Sequence, residues 1–188
     1  PYFFIFFMCF CVFVEAQKMS KVKLDSLEQK VVENYKANPG IAIKTGVLIL
    51  QNSESSTQRS RVYGLMAISY FQQNDINTST QYLFLAKDEA EKSGDSDLIA
   101  KTYGSIAHQY VQLNLYNKAK MYLDKAMVET QKMKDGHAKY FLNALSFLEL
   151  GNINFDEKKY TQANEEYKKS LVQFERIKEK SKTINYHY

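Results

Sequence analysis

The chain of 188 residues is long enough for one domain with a sizeable core, and 45% hydrophobic with 24% charged residues is the balance of an ordinary folded protein. Seven glycines and two prolines exclude extended low-complexity linkers. The formal charge of +4 is carried by lysines scattered at helical spacing, with only Arg59, Arg61 and Arg176 as arginines, which argues against nucleic-acid binding by this segment.

Residues 2 to 14 (YFFIFFMCFCVFV) form an uninterrupted apolar run, followed by Glu15, Ala16 and Gln17. The run is too short to span a bilayer, and it fits the apolar part of a secretory signal with cleavage after Ala16. The chain starts at Pro1 without a basic segment, so a short basic start is expected to precede it. Phe10 before Cys11 and Met8 before Cys9 disfavour lipoprotein processing. No cysteine follows Cys11, so the folded part has neither a disulfide nor a thiolate metal site. Export, to the periplasm or a membrane-associated location, is the expectation.

After the leader, Leu24, Leu27, Val31, Val32 and Tyr35 recur at helical spacing and predict a helix over 24–36. Asn38-Pro39-Gly40 ends it. A second helix is predicted over 41–51, giving a degenerate pair within 17–55. The polar stretch 52–57 offers serines as a helix start. Three longer pairs follow over 56–95, 96–135 and 136–181. The first has helices over 58–73 and 76–92, with Asn74-Asp75 as the turn and Gly94 as the stop. The second has Ser96 or Asp97 as cap, a helix to Leu113, a turn at Asn114 and a partner over 116–134. The third runs over 137–154 and 160–179, and residues 182–188 read as the start of a further, truncated helix.

The three pairs align on one ruler. With Ala107 as origin, Tyr103 (−4), Ile106 (−1), Tyr110 (+3), Tyr116 (+9), Ala119 (+12), Leu123 (+16) and Ala126 (+19) alternate small and large. Ala67 as origin gives Tyr63, Met66, Tyr70, Ile76, Ser79, Leu83 and Ala86. Gly151 gives Phe147, Leu150, Asn154, Tyr160, Ala163, Tyr167 and Ser170, with Phe155 beside Asn154 offered for the missing aromatic. Two helices cross closely only where side chains are small, so Ala107, Ala119 and Ala126 are predicted contact points, almost fully buried.

This pattern resembles the tetratricopeptide repeat, with origins 40 and 44 residues apart (67 to 107, 107 to 151) where 34 is common. The resemblance implies an all-α, right-handed superhelix of antiparallel pairs, the degenerate first pair acting as cap. The elongation is similar to that of bacterial sensor and regulator proteins. In the family, first-helix positions −6, −3, +1 and +4 line a concave groove that receives peptides. Here these are Arg61, Gly64, Ile68 and Phe71; Lys101, Gly104, His108 and Val111; and Leu145, Leu148, Asn152 and Phe155. The peptide-binding set so implied is Arg61, Ile68, Phe71, Lys101, His108, Val111, Asn152 and Phe155. Arg61 and Lys101 on one edge suggest a ligand with an acidic group. The chaperone carboxylate clamp is not matched, since Gly64, Gly104, Ile68 and Leu148 occupy its places.

No catalytic constellation is present: His108, His137 and His187 are too far apart for a helical ligand pair, and Gly64, Gly104 and Gly151 are isolated rather than grouped in a phosphate loop. Gly64 and Gly104 share the −3 position, where a missing side chain either opens the inner groove or, the favoured reading, eases helix packing. Glu165-Glu166 with Lys168-Lys169 reads as an exposed face with i, i+3 and i, i+4 pairs. Lys118 and Lys125 are expected to be merely solvated. The function expected is therefore that of an exported, non-enzymatic module that binds a protein or peptide without cofactor or metal, and that can oligomerise. The alternative is the sensory region of a membrane-tethered bacterial regulator, a histidine kinase or an AraC-type transcription factor, whose effector part lies beyond residue 188.

Overall fold

The computed structural model describes the backbone of residues 19–185, so the apolar run at 2–14 and the cleavage position lie outside the described residues. These residues fold into eight helices with no strand among them: α1 (Lys21–Asn34), α2 (Pro39–Asn52), α3 (Ser56–Gln72), α4 (Ile76–Ser93), α5 (Ser96–Gln112), α6 (Tyr116–Lys132), α7 (His137–Asp156) and α8 (Tyr160–Asn185). Each helix packs on the next, and the odd-numbered helices also touch in succession, α1 with α3, α3 with α5 and α5 with α7. Among the described residues no even-numbered helix touches the next even-numbered one. Odd helices crowd together and even helices splay apart, so the stack is solenoid-like and curves with its odd helices inside.

Local chemistry sets the boundaries. Ser20, Ser55 and Asp75 cap α1, α3 and α4 by accepting from the backbone N–H of Lys23, Gln58 and Thr78. The cap of α5 is Asp95 rather than Ser96 or Asp97: its carboxylate accepts from the N–H groups of Asp97 (3.0 Å) and Leu98 (3.4 Å). Pro39 begins α2 instead of separating it from α1, since a fixed φ and a missing N–H suit the first helical turn. Gly94 stops α4 at φ 68° as expected. Residues 182–185 prolong α8 and do not begin a further helix.

The turns repeat bond for bond. Asn74, Asn114 and Lys158 all lie seven residues after their origins and all adopt the left-handed region, at φ 61°, 57° and 62°. In each turn this residue's N–H bonds to the carbonyl three residues back (Phe71, Val111, Phe155). The following N–H bonds five residues back (Tyr70, Tyr110, Asn154), which closes the orphan carbonyls of the first helix. The α1–α2 turn lacks this geometry and closes through Tyr35 N–H to Val31 and Asn38 N–H to Asn34. Asparagine tolerates the left-handed region, whereas lysine there costs on the order of 1 kcal/mol. Lys158→Gly should accordingly stabilise the protein by about 0.5–1 kcal/mol; a denaturant midpoint that fails to rise would contradict it.

Close approach of each pair occurs at the small positions. Ala67, Ala107 and Ala119 are 0% exposed and Ala126 2%. Seven residues before each origin stand Ser60, Ala100 and Ala144, opposite Ala86, Ala126 and Ser170 at +19, and all six are buried. Ser60 Oγ donates to the Ala86 carbonyl at 2.8 Å, and Ser170 Oγ donates to the Ala144 carbonyl at 2.8 Å. One crossing is thus bridged from either side, and the middle pair carries alanine on both.

The spaces between are filled by aromatic groups, including two residues that the sequence ruler passes over. Tyr82 packs 5.8 Å from Tyr63 and 5.0 Å from Tyr70 between ring centroids. Tyr122 packs 5.8 Å from both Tyr103 and Tyr110. In the third pair the equivalents are Phe147, Asn154 and Glu166, so the second and third members of the cluster turn polar together. Phe155 does not replace the missing ring; it is 55% exposed and meets Tyr160 edge-on at 5.5 Å. Lys118 and Lys125 are not merely solvated: Lys118 lies over Tyr110 at 5.5 Å, and Lys125 over Tyr122 at 5.1 Å and Tyr103 at 5.9 Å.

Candidate functional site

A cavity of about 520 Å³ opens on the inner side of the stack, walled by α3, α5 and α7 and floored by Ser79 and Leu83 of α4 and Leu123 of α6. Its walls carry Ile68, Phe71, Phe141, Leu142, Leu145 and Leu148, with Lys101, His108 and Glu149 as charged groups. Leu145, Leu148 and Phe141 are each more than a third exposed, although they are large and apolar. A volume of this size suits a few apolar side chains of a partner, or one small ligand.

Glycine creates part of this space. A Cβ built on Gly104 would meet nothing within 4 Å, and the same is true at Gly64. Neither glycine eases helix packing, the favoured expectation; at Gly104 the other reading, an opened groove, holds. Gly104 leaves the centre of the α5 wall open, where any larger side chain would project into the cavity.

The eight sequence-predicted groove residues divide in half. Ile68, Phe71, Lys101 and His108 line the cavity; Arg61, Val111, Asn152 and Phe155 do not. Arg61 is held at the α1 side by Glu28, with Nε to Oε1 at 2.6 Å and Nη2 to Oε2 at 3.2 Å. Val111 is half-buried and packs against the central core cluster. Asn152 accepts a hydrogen bond from the Tyr167 hydroxyl of α8 at 3.1 Å, and Phe155 sits at the edge against Tyr160. Missed by the four-offset rule were Phe141 and Leu142, in the first turns of α7. They reach the cavity because they lie three and four residues before Leu145, on the same side of α7, and so extend its wall toward the start of that helix. An apolar pair so close to a helix start, at −10 and −9, was the available signal.

The cavity's charges are satisfied internally. Lys101 pairs with Asp97 one turn earlier on α5. His108 Nδ1 meets Glu149 Oε1 at 2.7 Å across the α5–α7 boundary. That carboxylate raises the His108 pKa above its ordinary value of 6.5, and partial burial opposes the rise. Folding therefore strengthens proton binding at His108. The bridge contributes fully below about pH 6.5 and loses its contribution as pH rises through the higher folded-state value. His108→Gln should lower the denaturant midpoint more at about pH 5.5 than at about pH 8.5. Equal losses at both would contradict this role. The effect is small, because the imidazole is 56% exposed.

Outside the cavity, Tyr103 shows how the pair interiors handle polar groups. Burial first, then its 2.8 Å hydrogen bond to Glu91, push its pKa up to about 12, so it stays a neutral donor. Among the described residues no group of three His, Cys, Asp or Glu could hold a metal ion. No helix among them is long and apolar enough to cross a membrane. Neither a protein-family profile nor a curated protein matches the chain.

Proposed function

We propose that the chain is a stack of elongated tetratricopeptide-like repeats that binds a protein or peptide through the cavity between α3, α5 and α7, without catalysing a reaction. The observation that carries this reading is the concave apolar lining gathered around Gly104, where Phe141, Leu145 and Leu148 of α7 are each more than a third exposed within one cavity. Peptide recognition in grooves rests on apolar anchors entering such a floor, with a few polar groups setting orientation.

The ligand that fits best presents apolar side chains. Both basic groups on the wall, Lys101 and His108, already have carboxylate partners, and Arg61 belongs to a different contact. A ligand acidic group would have to compete with Asp97 or Glu149. Export is part of the same proposal and rests on the apolar run at residues 2–14 alone.

The test is selection of peptides from a random library on the immobilised chain, followed by challenge with variants. Gly104→Phe, which fills the cavity, and Leu148→Asp, which charges its wall, should each weaken the selected peptides by about tenfold or more. Val128→Thr on the outer side of α6 should change nothing. Peptides that bind all three variants equally would refute the reading.

A further inference from the structure

The outward face of α8 carries a charge pattern with a built-in symmetry. One turn after another, Glu165, Lys168, Leu171, Val172, Glu175 and Lys178 recur along α8, and all six are exposed. Leu171 and Val172 are 57% and 45% exposed at the centre. Lys168 lies three residues before this apolar centre and Glu175 three after it; Glu165 lies six before and Lys178 six after. Residues at equal distances on either side of the centre therefore have opposite charge.

Among the described residues those charges enter no ion pair. Glu166 and Lys169, on the flank, form an i, i+3 ion pair at 2.8 Å. Glu165, Lys168 and Glu175 form none among the described residues, although Glu165 and Lys168 have the same spacing. The corresponding stretches of the other long helices lack the pattern. On α4 the central positions are Lys87 and Asp88, which pair with each other at 2.7 Å. On α6 they are Met127 and Val128, but the residues three before and three after are Asp124 and Gln131.

We propose that this face is a docking surface for a second copy of the chain, with the two α8 helices antiparallel about a two-fold axis through Leu171 and Val172. The axis sets Lys168 against Glu175 of the second copy and Glu165 against Lys178, each pair occurring twice, around an apolar centre that both copies bury. Parallel pairing would set each charge against its own kind. The pattern thus selects one orientation as well as one partner. One helix pair is a small interface beside the roughly 1,200–2,000 Å² of stable complexes, so the dimer is weak, concentration-dependent and loosened by salt. None of the six residues lines the cavity between α3, α5 and α7, and the proposal does not depend on the groove.

Charge reversal tests it by sedimentation velocity of the full chain over a concentration series. The unaltered chain should show a monomer–dimer equilibrium. K168E sets like charges together twice, and E175K does the same, so each alone should raise the dissociation constant by about tenfold or more. The double variant K168E/E175K should return close to the unaltered value. An equimolar mixture of the two single variants should associate where neither does alone, since every contact then joins opposite charges. A chain that is monomeric at every concentration, single variants that associate as the unaltered chain does, or a mixture that fails to associate would each overturn the proposal.

Discussion

Ala126→Leu should destabilise the protein by about 1–3 kcal/mol, while Ala126→Ser should leave its stability almost unchanged. Ala126 is 2% exposed and stands opposite Ala100, itself 1% exposed, at the close crossing of α5 and α6. A leucine adds three carbons where the helices have no room to part without pulling Tyr122 and Leu123 from the central cluster. The chain itself contains the control. At the same position in the last pair stands Ser170, 3% exposed, whose hydroxyl donates to the facing Ala144 carbonyl. A serine at 126 finds the equivalent carbonyl on Ala100. Denaturant or thermal unfolding measures both variants; a leucine tolerated as well as the serine would mean that the helices do not meet here.

The second large effect lies at the origin of the third pair, where one substitution should change sign with its neighbour. A Cβ on Gly151 would overlap the ring of Tyr167. In the other two pairs the origin is alanine, Ala67 or Ala107, and the residue facing it at +16 is leucine, Leu83 or Leu123. The third pair has exchanged both, a smaller residue for a larger ring. Gly151→Ala gains about 1 kcal/mol of helix propensity, but the overlap costs about 1–3 kcal/mol. The variant should therefore lose up to about 2 kcal/mol in the Tyr167 background. With Tyr167→Leu the overlap disappears and the same Gly151→Ala change should stabilise. Unfolding of the four members of this cycle gives the coupling directly. Loss of stability in both backgrounds would show that the glycine is needed for another reason.

How much of this was legible in the sequence follows from what each feature depends on. The helix pairs, the buried alanines and the turns at Asn74 and Asn114 are local, or are set by residue size at fixed offsets, and a repeated ruler exposes them. Tyr82 and Tyr122 escaped because the ruler stepped from +12 to +16, although each completes an aromatic cluster with two residues that the ruler did name. The Gly151–Tyr167 exchange was visible as a departure from alanine and leucine, but only the distance between the helices reveals that the departures compensate.

The site was less legible because it depends on how one pair leans on the next. His108 and Glu149 are 41 residues apart in sequence, and nothing local announces that they meet. Arg61 satisfies the offset rule for a groove residue, yet Glu28 of α1 reaches it first. Asn152 satisfies the rule too, but the Tyr167 hydroxyl draws it toward α8. Offsets give the face of a helix; only the neighbouring pair decides which part of that face stays open.

Methyl NMR of the chain during titration with a library-selected peptide tests the binding account most directly, because it reads the location of the contact and not merely its existence. Ile68, Leu142, Leu145 and Leu148 should shift together and saturably, with Val22, Val128 and Leu171 unmoved. Shifts confined to the outer helices, or a saturable titration that leaves the four cavity residues unchanged, would contradict it.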